Sequence, residues 1–192
     1  HRGPDSQAVW SNQFLSFSHQ RLSIIDLSKR SDQPLIKNEF VIIYNGEVYN
    51  YKELKIKYLS DVTFKTGSDT EVVLEMYKRF GEKALDYFIG MFSFVIYNEK
   101  ENKIFGARDH FGIKPFYFYK KEKQFAFASE LKTLAKILPH NKKINIKALI
   151  ASLNYLWIPG NESIFEEFNK LPPAHYFNFD IISSEIYFSR YW

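Results

Sequence analysis

The chain has 192 residues, 45% hydrophobic and 25% charged, which is enough for one soluble domain or one domain with an appendage. Lys and Arg exceed Asp and Glu by four (26 − 22), but the lysines are scattered through polar turns and supply no nucleic-acid face. No apolar run approaches the ~20 residues of a membrane span, and the lack of cysteine excludes disulfides, thiolate metal sites and a cysteine nucleophile within these residues.

The chain opens on His1-Arg2-Gly3-Pro4-Asp5, a turn-forming segment without an initiator Met, so a true N-terminus upstream is expected. Residues 8–10 and 14–19 predict strands around a polar turn at 11–13, and 21–26 continues the strand-like pattern. Residues 28–39 read as a surface loop interrupted by Pro34. Residues 41–50 begin as an apolar, β-branched run, the composition of a strand buried on both faces, and are expected to break at Asn45-Gly46. That pair has two readings. Taken alone, the decamer favours a hairpin turn; the other reading is a pair of fixed donors aimed at a developing oxyanion.

A helix is predicted over 51–59, with Asn50 as N-cap and Glu53 completing a capping box. A short strand at 63–66 leads to a helix over 71–80, whose apolar stripe includes Val72, Met76 and Phe80. Ser68 or Asp69 would cap that helix and Gly81 would end it. A short helix at 84–88 precedes four strands at 92–97, 103–108, 116–119 and 124–128, with turns at 98–102 and 120–123. Ser129 is expected to cap a helix over 130–136, and another helix follows over 146–156. This antiparallel meander with flanking helices predicts an α+β sandwich rather than a βαβ fold. The expected domains are 1–138, and 139–192 as a connector opening into a further domain.

Four places carry candidate polar chemistry, and each has a plain structural reading. Arg21 alone reads as a surface arginine, Asp69 as a helix cap, Arg108-Asp109 as an ion pair ordering a turn, and His19 as a core or strand-edge histidine. Together they suggest more. An arginine grips a carboxylate by a forked hydrogen bond, an aspartate holds an ammonium, and Asn-Gly donors lie between them. Such a pocket suits an α-amino acid with a side-chain amide, and glutamine fits.

The ordered segments His1–Asp5, Arg21-Leu22-Ser23-Ile24-Ile25-Asp26, Tyr44-Asn45-Gly46-Glu47-Val48-Tyr49-Asn50, Gly67-Ser68-Asp69-Thr70-Glu71, Gly90-Met91-Phe92-Ser93-Phe94, Arg108-Asp109-His110-Phe111-Gly112-Ile113-Lys114-Pro115 and Ala128-Ser129-Glu130-Leu131-Lys132 resemble the class II glutamine amidotransferase domain of glutamine-hydrolysing asparagine synthetases. The resemblance implies an N-terminal-nucleophile hydrolase-type αββα sandwich, with two antiparallel sheets between helical layers and the first strand missing. It implies that Arg21 holds the glutamine carboxylate, with Leu22, Ser23, Ile24 and Ile25 lining that wall. Asn45 and Gly46 form the oxyanion hole, Glu47 borders the amide and Asp69 takes the α-ammonium. The family's nucleophile is an N-terminal cysteine whose own amino group is the base; it is absent here, so these residues alone are expected to be inactive. The resemblance further implies a cytoplasmic enzyme of asparagine biosynthesis, a fused synthetase domain using ATP and Mg, no metal or cofactor in this part, and leaves a homodimer open. A non-catalytic amino-acid-binding or interaction domain is the alternative.

Overall fold

The computed structural model describes residues 3–138 and 142–192. The first two residues of the His1–Asp5 motif, and Pro139 at the expected domain boundary, lie outside the described residues.

Strands β1 (Ser6–Ser11) and β2 (Ser16–Arg21) pair as a hairpin. The central sheet has six antiparallel strands in the order β11-β10-β6-β5-β4-β3. Its members are β3 (Leu35–Lys37), β4 (Phe40–Val48), β5 (Gly90–Asn98), β6 (Lys103–Arg108), β10 (His175–Asp180) and β11 (Ile186–Arg190). Strands β7 (Tyr117–Lys121), β8 (Gln124–Ala128) and β9 (Phe168–Lys170) form a third sheet, ordered β8-β7-β9.

Alternation along each strand divides the core. Ile42, Tyr44, Phe94 and Ile96 face α1 (Tyr51–Tyr58), α2 (Asp69–Phe80) and a 3₁₀ segment at Gly81–Tyr87, packing with Val72, Val73 and Met76. Val41, Val95, Tyr97 and Ile104 face the other way, against Phe17 of β2 and Phe116, Leu171 and Phe177. Because β5 is buried on both faces, Phe92–Tyr97 is buried at every position, apolar except for Ser93, rather than alternating. Outside the small sheets, Leu134 of α3 (Leu131–Ile137) packs on Tyr119 and Phe168. The layers are therefore helix, sheet, sheet, helix. The second β layer is divided between the β1–β2 hairpin and the β7–β9 sheet.

Several local expectations change. β4 does not break at Asn45-Gly46: it stays paired with β5 through Val48↔Gly90, so no hairpin forms there. Residues 22–26 leave β2 as a loop, and a short strand, β3, forms within the expected 28–39 loop. Residues 63–66 are not a strand, because the Lys65 and Thr66 N–H groups donate to the Glu71 carboxylate instead of to a neighbouring strand. Asn50 stands at the N-cap of α1 as expected, but its side chain makes no capping bond: the amide bridges Tyr87 O (2.9 Å) and Ile89 N (3.1 Å) instead. The helix expected at 84–88 is the end of the 3₁₀ segment, and α3 starts at Leu131 with Glu130, not Ser129, at its N-cap. Ser68 caps α2 by accepting from Thr70 N, and Gly81 (φ 60°) ends it. After α4 (Ile146–Tyr155), β9 joins β7 while β10 and β11 extend the central sheet beyond β6.

Candidate functional site

The site is built along one edge of β4. Strand β3 covers that edge only opposite Phe40–Ile42, so from Ile43 onward the outward-facing backbone groups need other partners. Tyr44 N donates to Gln33 Oε1 (2.6 Å), Tyr44 O accepts from His19 Nε2 (3.1 Å) and Val48 N donates to Asp69 Oδ2 (3.0 Å). Strand alternation puts the Gly46 N–H on this same edge, between two satisfied positions. Only glycine fits at Gly46: a Cβ would sit 2.3 Å from Met91 O and 2.7 Å from Phe92 Cα, both backbone atoms. The Asn45 and Glu47 side chains share the opposite face with Val41 and Ile43, and neither makes a hydrogen bond among the described residues.

Asp69 opens α2 directly beneath this edge and is 3% exposed. Its Oδ2 accepts from Tyr44 Oη (2.6 Å) as well as Val48 N, while Oδ1 accepts from Ser68 Oγ at 3.4 Å. Burial raises its pKa, opposed by the Tyr44 hydroxyl and the Val48 N–H. Burial likewise pushes the Tyr44 phenol well up, reinforced by the Asp69 charge. A second anchor holds the start of α2 in place. Lys37 of β3 is buried against Glu71 (2.7 Å) and Glu75 (3.0 Å) and donates to Thr63 O (2.9 Å).

On β2, Phe17, His19 and Arg21 alternate toward the central sheet. Arg21 is 7% exposed, and its guanidinium serves the 26–32 loop through Asp26 O, Ser28 O (3.2 Å) and Asp32 Oδ1 (2.9 Å). Donors from Ser31 Oγ, Ser28 N and Gly67 N hold the Asp26 carboxyl far below the usual carboxylate range and tie this loop to the segment before α2. Leu22 and Ile24 project outward, 60% and 69% exposed; Ile25 is half-buried, and Ser23 N donates to Asp5 Oδ2 (2.6 Å).

The structure thus sets the β4 edge at Gly46 beside Asp69, leaves the Asn45 and Glu47 side chains on the other face of the strand, and brings Arg21 in along β2 but engaged with its own loop. Neither of two surface depressions includes them: one is bordered by Arg30, Lys65 and Glu71, the other by Tyr119, Lys142 and Glu166. Among the described residues there is no His, Asp and Glu cluster fit for a metal ion, and no helix long and apolar enough to cross a membrane.

Arg108 and Asp109 do not form the expected ion pair. The Arg108 guanidinium donates to Lys114 O (2.7 Å), Leu171 O (2.6 Å) and Gly112 O (2.6 Å). Asp109, fully buried, accepts from the N–H groups of Phe92, Phe111, Ile113 and Lys114. Two residues that sequence reasoning did not single out complete the β4 edge. Tyr44 is legible from alternation, two positions from Gly46. Gln33 sits in a loop and carries no local signal.

A family model described as a glutamine amidotransferase domain matches residues 1–192. A putative glutamine-hydrolysing asparagine synthetase 2 of Methanocaldococcus jannaschii is 36% identical, covering 100% of this chain and 41% of its own length. Asparagine synthetase 1 of Bacillus subtilis is 38% identical (92% of this chain, 28% of its own), and asparagine synthetase B of Escherichia coli is 36% identical (84% and 28%). The chain therefore spans well under half the length of these relatives. A solved glutamine phosphoribosylpyrophosphate amidotransferase from B. subtilis shares the fold at TM-score 0.60 and 18% identity, covering 91% of this chain and 34% of its own.

Proposed function

The chain belongs to the glutamine amidotransferase domain family, and on that premise we propose that it is the glutamine-hydrolysing part of an asparagine synthetase-like enzyme. The observation that carries the reading is the edge of β4 beyond β3, where strand alternation turns the N–H of half-buried Gly46 to the side on which the buried Asp69 carboxylate accepts from Val48 N. In this reading the glutamine α-ammonium pairs with the Asp69 carboxylate, and Arg21 swaps part of its loop contacts for the α-carboxylate. The side-chain amide lies against Gly46 and Asn45, bordered by Glu47, with Leu22 to Ile25 closing one wall. The thiolate of an N-terminal cysteine, from outside these 192 residues, attacks the amide carbon. The oxyanion takes hydrogen bonds from Gly46 N–H and the Asn45 side chain, donors worth on the order of 10²–10³ in rate. The C–N bond breaks to release ammonia, and water hydrolyses the thioester to glutamate.

Ammonia would then pass to a synthetase-like part using ATP and Mg, with aspartate or another acceptor. The length of the relatives supports such a part. The division at 138/139 is proposed in a functional sense, since β9–β11 are built into the same sheets as the site.

The test is glutamate release by the complete gene product. Asn45→Ala is expected to lower kcat by about 10²–10³, and the 192 residues alone to release no glutamate; an unchanged kcat in Asn45→Ala would sink the reading. One observation favours a second reading, a non-catalytic amino-acid-binding or interaction domain: three of the five Arg21 N–H donors already serve Asp26 O, Ser28 O and Asp32, as those of a purely structural arginine would. Glutamine binding without glutamate release would select it.

A further inference from the structure

Tyr44 is held at three points. Its N–H donates to Gln33, its hydroxyl to Asp69 and its carbonyl accepts from His19. That carbonyl shares a peptide plane with the Asn45 N–H, so whatever fixes it also fixes the backbone entering Asn45-Gly46. A carbonyl can only accept, so His19 Nε2 carries the proton and Nδ1 is the bare nitrogen of a neutral ring. His19 Nδ1 is buried and has no partner. A second proton there would be a buried orphan donor, and the ring is accordingly held in the one tautomer that serves Tyr44. Burial, aided by the nearby Arg21 charge and opposed by the Tyr44 carbonyl and Asp32, lowers the His19 pKa. No element of the hydrolysis described above uses this histidine.

We infer that His19 is a positioning residue for glutamine hydrolysis: its Nε2–H, delivered across the layers from β2, sets the Tyr44–Asn45 peptide and so aims the Asn45 and Gly46 donors. The inference rests on the reading of this edge as the oxyanion site. A glutamine side chain places its amide nitrogen where His19 Nε2 lies, whereas an asparagine places it near Nδ1, so the two substitutions separate this hydrogen bond from mere bulk.

In the complete gene product, His19→Gln is expected to keep kcat within about threefold of wild type. His19→Asn is expected to lower kcat by about 10²-fold, the cost of a small misplacement of catalytic groups, with KM for glutamine nearly unchanged. Amide hydrogen exchange at Asn45, which needs no turnover, should quicken at least about tenfold in His19→Asn and stay near wild type in His19→Gln. Equal effects of the two substitutions on both readouts, or unchanged exchange in His19→Asn, would overturn the inference. Altered exchange in a protein that binds glutamine but never releases glutamate would uphold His19 as the holder of this edge, while removing its link to catalysis and refuting the glutaminase reading.

Discussion

Replacing Lys37 by Met tests how α2, and with it Asp69, is held against the sheet. Lys37 is buried between Glu71 and Glu75, with Thr63 O as a third acceptor. Burial works against the Glu71 charge, but the Lys37 ammonium and the Lys65 and Thr66 donors outweigh it and keep the carboxyl below its ordinary pKa. The same carboxylates outweigh the burial of Lys37 and raise its pKa. Removing one partner of a buried pair leaves the other uncompensated and costs about 3–5 kcal/mol. For a chain of this size, each kcal/mol moves the melting temperature by about 2–4 °C, so Lys37→Met is expected to lower Tm by about 6–20 °C at pH 7. The sign with pH follows from linkage. A depressed Glu71 stabilises the fold above its unfolded pKa, and that stability is lost as pH falls through its folded value. Without Lys37 the Glu71 pKa rises and the native carboxyl protonates sooner, so the deficit should shrink between pH 7 and pH 4.5. Circular dichroism melts at both pH values, with Lys37→Met/Glu71→Gln as the companion variant, read this directly. A deficit below about 1 kcal/mol, or one equal at both pH values, would show that the triad is not what anchors α2.

Gly46→Ala should cost about 1–3 kcal/mol, because its Cβ meets the Met91–Phe92 backbone with no side chain able to yield; it should also lower kcat by about 10²-fold. Wild-type melting and turnover together would refute that. Burial lowers the pKa of both His19 and His110 from the ordinary 6.5, opposed by the Tyr44 carbonyl at His19 and by Asp109 at His110. The unfolded chain therefore binds more protons below that value, and the urea midpoint should fall between pH 7.5 and pH 5.5. A His19→Gln/His110→Gln variant should flatten that slope; a slope left intact would assign it to other groups.

The features legible in the sequence were those set by local chemistry. The apolar stripe of α2, its Ser68 cap and its Gly81 stop are contained in the 14 residues 68–81, and β5 to β8 announce themselves by composition and polar turns. What was not legible depends on partners far along the chain. Asn45-Gly46 has the local chemistry of a turn, yet nine cross-strand pairs with β5 keep it extended. Residues 63–66 look extended and apolar enough for a strand, but Glu71 captures their N–H groups before a strand can. Asn50 stands at the cap of α1, yet the end of the 3₁₀ segment at Tyr87 claims its side-chain amide. At the site, the residue types at Arg21, Asn45, Gly46 and Asp69 were readable. Their mutual arrangement was not, because it is set by Gln33, Tyr44 and His19 acting across three separate elements.

The Arg108–Asp109 turn has a mechanical consequence for the whole molecule. Asp109 holds Phe92 N in β5 with its carboxylate and Ala174 N with its carbonyl, and Arg108 grips Leu171 O. Tyr191, just beyond β11, returns its hydroxyl to Arg108 O at 2.9 Å. The last two strands are thus tied to the middle of the chain at the open end of their hairpin, just before β10 and just after β11. Opening them means breaking these bonds as well as the β6–β10 ladder, so they are expected to exchange together with the central sheet. A cut made after residue 138 would divide one foldon in two.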